Sequence, residues 1–176
     1  MTVSHDKLVK VWSAKSQECL DTKRGHVGVV RVCAISPDGF QAPSRIPHQF
    51  THPFAMMPFD QIASCGTNIK LWSTNSPGSA VGTLKDHVGA VNAVAFNPDG
   101  NLIASGGDDL IVRVWEAMVG DEAPPETPFK KLLAHKTPVL AVGFSPNGHG
   151  LASCAASGNV RLWNWADEVL LPGLTR

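Results

Sequence analysis

The sequence predicts an all-β fold built from a repeated unit of four short strands. Three recurring elements predict it. The first is a string ending apolar-basic-apolar-tryptophan: DKLVKVW (Asp6 to Trp12), TNIKLW (Thr67 to Trp72), DLIVRVW (Asp109 to Trp115) and GNVRLW (Gly158 to Trp163). Its tryptophans lie 60, 43 and 48 residues apart. A recurrence at about 40 to 50 residues marks a repeat architecture and shifts the expected function from catalysis towards binding. The second element is GHVGVVRVCAISPDG (Gly25 to Gly39), DHVGAVNAVAFNPDG (Asp86 to Gly100) and AHKTPVLAVGFSPNG (Ala134 to Gly148). The third is QIASCG (Gln61 to Gly66), LIASGG (Leu102 to Gly107) and GLASCA (Gly150 to Ala155), with Ala-Ser in register.

Each element reads as a strand for a stated reason. In the second element the His stands 13 residues before the Gly of a Pro-Asp-Gly or Pro-Asn-Gly turn. The apolar, Val- and Ala-rich stretch between them reads as a first strand buried on both faces. Proline presets the first torsion of the turn and glycine takes the positive φ. The Ala-Ser string is a short second strand, and the Trp-ending string a third. A looser fourth run follows each Trp: Glu18 to Lys23, Ser79 to Lys85 and Phe129 to Ala134. Near the end, Glu168 to Leu171 reads as a last outer strand.

Four short strands in a period of about 40 to 45 residues make one blade of a β-propeller. On these residues the chain resembles the WD-repeat propeller family, over nearly its whole length apart from the insertions and the last few residues. The fold expected is all-β, an incomplete β-propeller of WD-repeat type with about three and a half four-stranded blades. The expected division is an incomplete first blade at 1–24, then blades at 25–85, 86–133 and 134–171, and a tail at 172–176. Met1 falls where a second strand is already under way. The chain therefore reads as a fragment or truncated form of a longer protein, or as an arc that pairs with a second arc to close a ring.

The family ties the strands of a blade together with a buried hydrogen-bond network of His, Ser, Asp and Trp. By position the resemblance implies a complete set in one copy: His87, Ser105, Asp109 and Trp115. The copy before it keeps His26, Ser64 and Trp72, has no Asp between Ser64 and Trp72, and is two residues shorter there. The last keeps His135, Ser153 and Trp163, with Ser157 in place of the Asp; the first keeps Asp6 and Trp12, with Thr2 at the Ser position. Missing aspartates imply looser second and last blades, because each lost member strands its partners. The family's closing Trp-Asp pair is absent, the tryptophans being followed by Ser13, Ser73, Glu116 and Asn164.

Ser, His and Asp superficially suggest an acyl-transfer triad. The same His and Ser recur at one register in three copies, so they are assigned to structure, and no catalytic residue is expected. A basic residue precedes each Trp by two positions: Lys10, Lys70, Arg113 and Arg161. These are expected to lay aliphatic stems on a blade face and keep their tips in water.

Composition narrows the functional classes. Net charge is zero, with 15 basic and 15 acidic residues, which gives no electrostatic support for nucleic acid or an anionic membrane. No apolar run reaches membrane-spanning length and no secretory signal is visible. Cys19, Cys33, Cys65 and Cys154 form no C-x-x-C pair and read as small buried residues, which points to the cytoplasm or nucleus.

Two stretches interrupt the repeat. About 20 extra residues at about 40–60 carry four prolines and one charge, Arg45, and read as a loop: a binding loop, filler or an aberrantly retained coding segment. His48 and His52 within it are four apart, but prolines flank them and no acid or Cys is near, so no metal is expected. Residues 117–128, acidic and Pro-rich, read as a solvated loop.

The resulting expectation is a non-catalytic interaction scaffold without cofactors, binding peptides or partner proteins. By analogy its contact residues are His5, Gly28, Gly89, Asp108 and Thr137 at the blade tops. The alternatives are a propeller-based hydrolase or metal enzyme, and a nucleic-acid-binding module.

Overall fold

A computed structural model of the chain describes residues 1–37, 61–73, 79–117, 124–133, 135–164 and 169–170. It is all-β. The strands are β1 (Thr2–Val3), β2 (Val9–Trp12), β3 (Cys19–Lys23), β4 (Val32–Ile35), β5 (Gln61–Cys65), β6 (Ile69–Ser73), β7 (Gly82–Leu84) and β8 (Val91–Phe96). Then come β9 (Leu102–Gly107), β10 (Ile111–Glu116), β11 (Lys130–Leu133), β12 (Val139–Phe144), β13 (Gly150–Ala155), β14 (Val160–Asn164) and β15 (Val169–Leu170). They form four antiparallel sheets in chain order, β1-β2-β3, β4-β5-β6-β7, β8-β9-β10-β11 and β12-β13-β14-β15. Each is a meander, with strands that follow one another in the chain paired side by side. The architecture is a partial propeller with one three-stranded and three four-stranded blades. The described residues include no helix long and apolar enough to cross a membrane.

The turns follow from their residues. Gly100 and Gly148 close the turns after β8 and β12 with φ of 71° and 75°. Their amides donate to Asn97 O at 3.0 Å and Ser145 O at 2.9 Å. A side chain is strained in that left-handed region, and glycine is not.

In the second, third and fourth blades burial peaks on the second strand. All five residues of β5 are buried, as are Ile103 to Gly107 of β9. The first strands are less covered than their apolar sequence predicts: Ile35 is 54% exposed and Leu140 53%. β4, β8 and β12 are all edge strands of their sheets, yet β8 exposes no residue, so the exposure of Ile35 and Leu140 is set by packing around each blade rather than by strand pairing.

Three apolar clusters hold the blades together, one per interface. Val9 packs with Val30, Ile62 and Trp72 between the first and second blades. Leu71, Ile69 and Leu84 pack with Val91, Ile103 and Trp115 between the second and third. Val112, Val114 and Leu132 pack with Val139, Leu151 and Trp163 between the third and fourth. Each of these tryptophans thus fills the contact with the preceding blade. Trp72, Trp115 and Trp163 are 0%, 0% and 4% exposed, while Trp12, with no described blade before it, is 40% exposed. Burial of an aromatic side chain is worth about 1.5–3 kcal/mol, and the first blade forgoes much of it.

At one blade interface close approach requires a glycine. A Cβ at Gly106 would overlap Val139 of the next blade, so β9 and β12 meet only because that position has no side chain. At the first interface a buried lysine adds a polar tie. Lys23 Nζ, at the end of β3, donates to Ser73 O at 2.8 Å and pairs with Asp21 at 2.7 Å.

Candidate functional site

Two groups of residues are arranged by this frame: a buried chain inside each blade, and a set of loops at one end of the sheets.

The buried chain is built on register. Ser64, Ser105 and Ser153 lie on the central strands β5, β9 and β13, opposite Lys70, Arg113 and Arg161. In the third blade Trp115 Nε1 donates to Ser105 Oγ at 2.7 Å, and Ser105 Oγ lies 2.8 Å from His87 Nε2. An indole N–H can only donate, so the serine oxygen accepts it, and because the Asp109 carboxylate can only accept at Nδ1, we assign Nε2 as the acceptor of the serine O–H. The ring proton then sits on Nδ1, which faces both Asp109 carboxylate oxygens at 3.0 Å. Asp109 also accepts from Val88 N at 3.1 Å and from Arg113 Nη1 at 2.7 Å.

Arg113 was expected to keep its tip in water, and the structure corrects this. Its side chain is only 3% exposed, and its Nε donates to Asp86, whose carboxylate is 25% exposed. Arg113 Nη2 donates to Asp86 O at 3.0 Å, and Lys131 Nζ reaches Asp86 at 2.9 Å from β11. A buried guanidinium is costly unless its charge and donors are met, and two carboxylates here meet them. Asp86 and Arg113 are the members that sequence reasoning missed. The available signal was an acid directly before His87, where the other copies have Gly25 and Ala134.

The second and fourth blades hold the same chain without the charges. Trp72 Nε1 donates to Ser64 Oγ at 2.8 Å, which lies 2.7 Å from His26 Nε2. Trp163 Nε1 donates to Ser153 Oγ at 2.9 Å, which lies 2.7 Å from His135 Nε2. In the first blade Trp12 Nε1 donates to Thr2 Oγ1 at 2.9 Å, and Asp6 accepts from the Leu8 amide at 3.1 Å within its own turn.

Burial and charge set the protonation of these groups. Burial first, then Lys70, lowers His26 to about 4. Burial and then Arg113 lower His87, and burial and then Arg161 lower His135. Burial pushes the Asp109 carboxyl up, but the Val88 amide, His87 and Arg113 outweigh it and hold it below its ordinary value. Lys131 and Arg113 hold Asp86 low against a smaller effect of burial. Such a chain orients side chains. Its serine hydroxyls are fully occupied by an indole and an imidazole, so none is presented to a substrate.

The loops that precede the first strands meet the turns between second and third strands at one end of the sheets. Asp108 N donates to Ala90 O at 2.9 Å, and Gly89, at φ 102°, packs on Asp108. Asp108 Oδ1 accepts from Asn92 Nδ2 at 2.7 Å, and Asn92 Oδ1 accepts from Arg31 Nη1 at 3.3 Å. Asn92 also reaches Val139 O at 3.2 Å. This line crosses the second, third and fourth blades. Of the sequence-predicted contact residues, His5, Gly89 and Asp108 are exposed, while Gly28 and Thr137 are half-buried. Thr137 Oγ1 accepts from the Ser157 amide at 3.1 Å. The structure joins Gly89 to Asp108 and adds Arg31 and Asn92. The missed signal was a polar residue at one register of an apolar strand, where the last copy has Leu140. On the loops that precede β4 and β8, Val27 and Val88 are 86% and 78% exposed.

A cavity of about 290 Å³ in the fourth blade is lined by residues including Phe144, Leu151, Leu162 and Trp163, with Ser145 its one hydroxyl. No group of three or more His, Cys, Asp or Glu that could hold a metal occurs among the described residues. All four cysteines are free: Cys65 is buried, Cys33 and Cys154 half-buried, and Cys19 exposed. The expected loop at about 40–60 with His48 and His52, residues 118–123 of the acidic segment 117–128 and the tail 172–176 lie outside the described residues.

Four-stranded meanders that each hold a buried Trp–Ser–His chain and stack through apolar clusters define a repeat-built β-propeller class. Family comparison agrees. The WD domain, G-beta repeat model matches residues 78–116 and 126–164. The chain belongs to the WD-repeat family. It is 32% identical over 128 residues to the WD repeat and HMG-box DNA-binding protein 1 of Xenopus laevis, covering 71% of this chain and 11% of that protein. It is 33% identical over 91 residues to the serine-threonine kinase receptor-associated protein of Bos taurus, covering 49% and 25%. Over 166 residues it is 28% identical to the target of rapamycin complex subunit wat1 of Schizosaccharomyces pombe, covering 93% and 44%. The chain thus spans less than half the length of each.

Proposed function

We propose that the chain is a non-catalytic scaffold that holds peptides or partner proteins at the loop end of its blades, as part of a larger WD-repeat assembly. The observation that carries this reading is the surface at that end. Val27, Val88 and Leu140 are exposed apolar side chains on the same loops and strand that supply the Arg31–Asn92–Asp108 line and its Val139 contact. Exposed apolar side chains interspersed with polar groups are the composition of a protein contact site. Two of the relatives are named as a complex subunit and a receptor-associated protein, which supports the same class of work. The zero net charge favours protein over nucleic-acid partners, and the occupied serines favour binding over chemistry. His5, Gly28, Gly89, Asp108 and Thr137 are proposed contact positions, with Arg31 and Asn92 added. The proposed location is the cytoplasm or nucleus.

The test is selection of binders from a displayed peptide library, followed by Val88→Asp and Leu140→Asp. Affinity for the selected peptides should fall at least tenfold with the melting temperature unchanged. Peptides whose binding ignores both substitutions would place the contact surface elsewhere.

A further inference from the structure

The third and fourth blades share a framework at an offset of 48 residues, and they differ in the acceptors it holds. Arg113 and Arg161 stand at the same register, opposite Ser105 and Ser153. His87 and His135 make the same contact with those serines, at 2.8 and 2.7 Å. The turns before β10 and β14 have the same shape: Leu110 has φ 71° and Gly158 φ 83°. In the third blade four donors converge on Asp109: His87 Nδ1, Arg113 Nη1, Val88 N and, at 3.5 Å, Ile111 N. The counterparts in the fourth blade are His135 Nδ1, Arg161, Lys136 N and Asn159 N. Asp109 is replaced there by Ser157, and Asp86 by Ala134.

The donors remain and the carboxylates are gone. Arg161 Nε is buried without a hydrogen-bond partner, and Arg161 is partly buried beside His135. With the Ser153 hydroxyl donating to Nε2, the arrangement assigned to Ser105 and His87, the neutral His135 ring carries its proton on Nδ1. Ser153 takes up Nε2, and the structure gives Nδ1 no acceptor among the described residues. A buried guanidinium nitrogen without an acceptor is unfavourable, and a carboxylate is the acceptor it fits best. The position is reachable: the carboxylate on Arg113 Nε, that of Asp86, is 25% exposed.

We propose that Arg161, His135 and the Lys136 amide of the fourth blade form an anion site that takes a carboxylate from an acidic side chain of a bound peptide. The partner's Asp or Glu replaces the internal counter-ion that the third blade supplies from Asp86 and Asp109. This deepens the scaffold reading and rests on it. It names the partner's chemistry as acidic and gives the fourth blade a specific contact.

The test follows the His135 imidazole and Arg161 guanidinium resonances by NMR in the full chain. The probes are a capped Gly-Glu-Gly peptide, acetate and inorganic phosphate. The peptide should shift both signals saturably, and acetate should do so at about tenfold higher concentration. Ser157→Asp restores an internal acceptor, so it should abolish the peptide-induced shift and raise the melting temperature. Arg161→Gln should abolish the shift with the fold retained. No shift in the wild type, or equal shifts in wild type and Ser157→Asp, overturns the site while leaving the loop-end scaffold reading to its own binders. Tighter binding of phosphate than of peptide overturns the carboxylate assignment.

Discussion

The second and third blades contain the same Trp–Ser–His chain, and only the third closes it with charge. In the second, Ser64 joins Trp72 to His26, and Lys70 turns to Thr83 at 3.3 Å. In the third, His87 continues to Asp109, Arg113, Asp86 and Lys131. Both serines and both tryptophans are fully buried. The neutral chain therefore suffices to set the packing of a blade. The ionic cap is an addition that makes the third blade depend on its counter-ions. Low dielectric strengthens a complete polar network and makes an incomplete one costly.

Four perturbations sharpen this comparison. The largest effect is expected at the shared tryptophan: Trp115→Ala and Trp72→Ala should each cost about 3–5 kcal/mol in denaturant unfolding, since both fill a blade interface. Trp12→Ala, on the uncovered first blade, should cost well under half of that. Next, Asp109→Ala strands Arg113 and His87 Nδ1 and should cost about 3 kcal/mol, as removal of one partner of a buried pair does. Ser157→Ala at the equivalent position of the fourth blade should change stability by less than about 0.5 kcal/mol. Third, Ser64→Ala and Ser105→Ala each leave an indole N–H and an imidazole nitrogen unmet, at about 1–3 kcal/mol. Equal costs would show that the ionic cap does not reinforce the serine; a larger cost for Ser105 would show that it does.

The smallest and broadest effect is on pH. The folded state holds His26 at about 4, below its ordinary 6.5, so the unfolded chain takes up a proton that the folded chain refuses. Stability is then whole above pH 6.5 and falls as pH drops towards 4. His87 and His135 are lowered in the same direction and add to the loss over the range below 6.5. Asp86 and Asp109 are also held low, so their contribution stands above 3.8 and is lost as pH falls through their folded values. All five groups act with one sign, so urea midpoints should stay level from pH 7.5 to about 6.5, decline from there towards pH 4 with the histidines, and fall further below 3.8 with the aspartates.

Much of the fold was legible because the repeat is written in residues whose roles are local. The Pro-Asn-Gly turn at Gly148, the Ala-Ser strand and the Trp-ending strand need only their own sequence to be recognised, and β13 and β14 lie where those strings stand. What escaped depends on contacts between distant residues. Arg113 looked like a surface base because its two acids come from a loop 27 residues earlier and a turn four residues earlier. The exposure of Leu140 and Ile35 depends on what packs against each strand from other parts of the chain, and apolar composition alone cannot tell a covered position from an open one. Arg31 and Asn92 meet across 61 residues, a pairing that no local pattern announces.

The central claim is that each recurring tryptophan is only as secure as the blade in front of it and the serine behind it. Hydrogen exchange of the indole N–H groups, followed by NMR, tests this most directly. Trp115 and Trp72 should exchange most slowly, Trp163 close behind, and Trp12, 40% exposed on Thr2, faster by orders of magnitude. Protection of Trp12 equal to that of Trp115 would contradict the account.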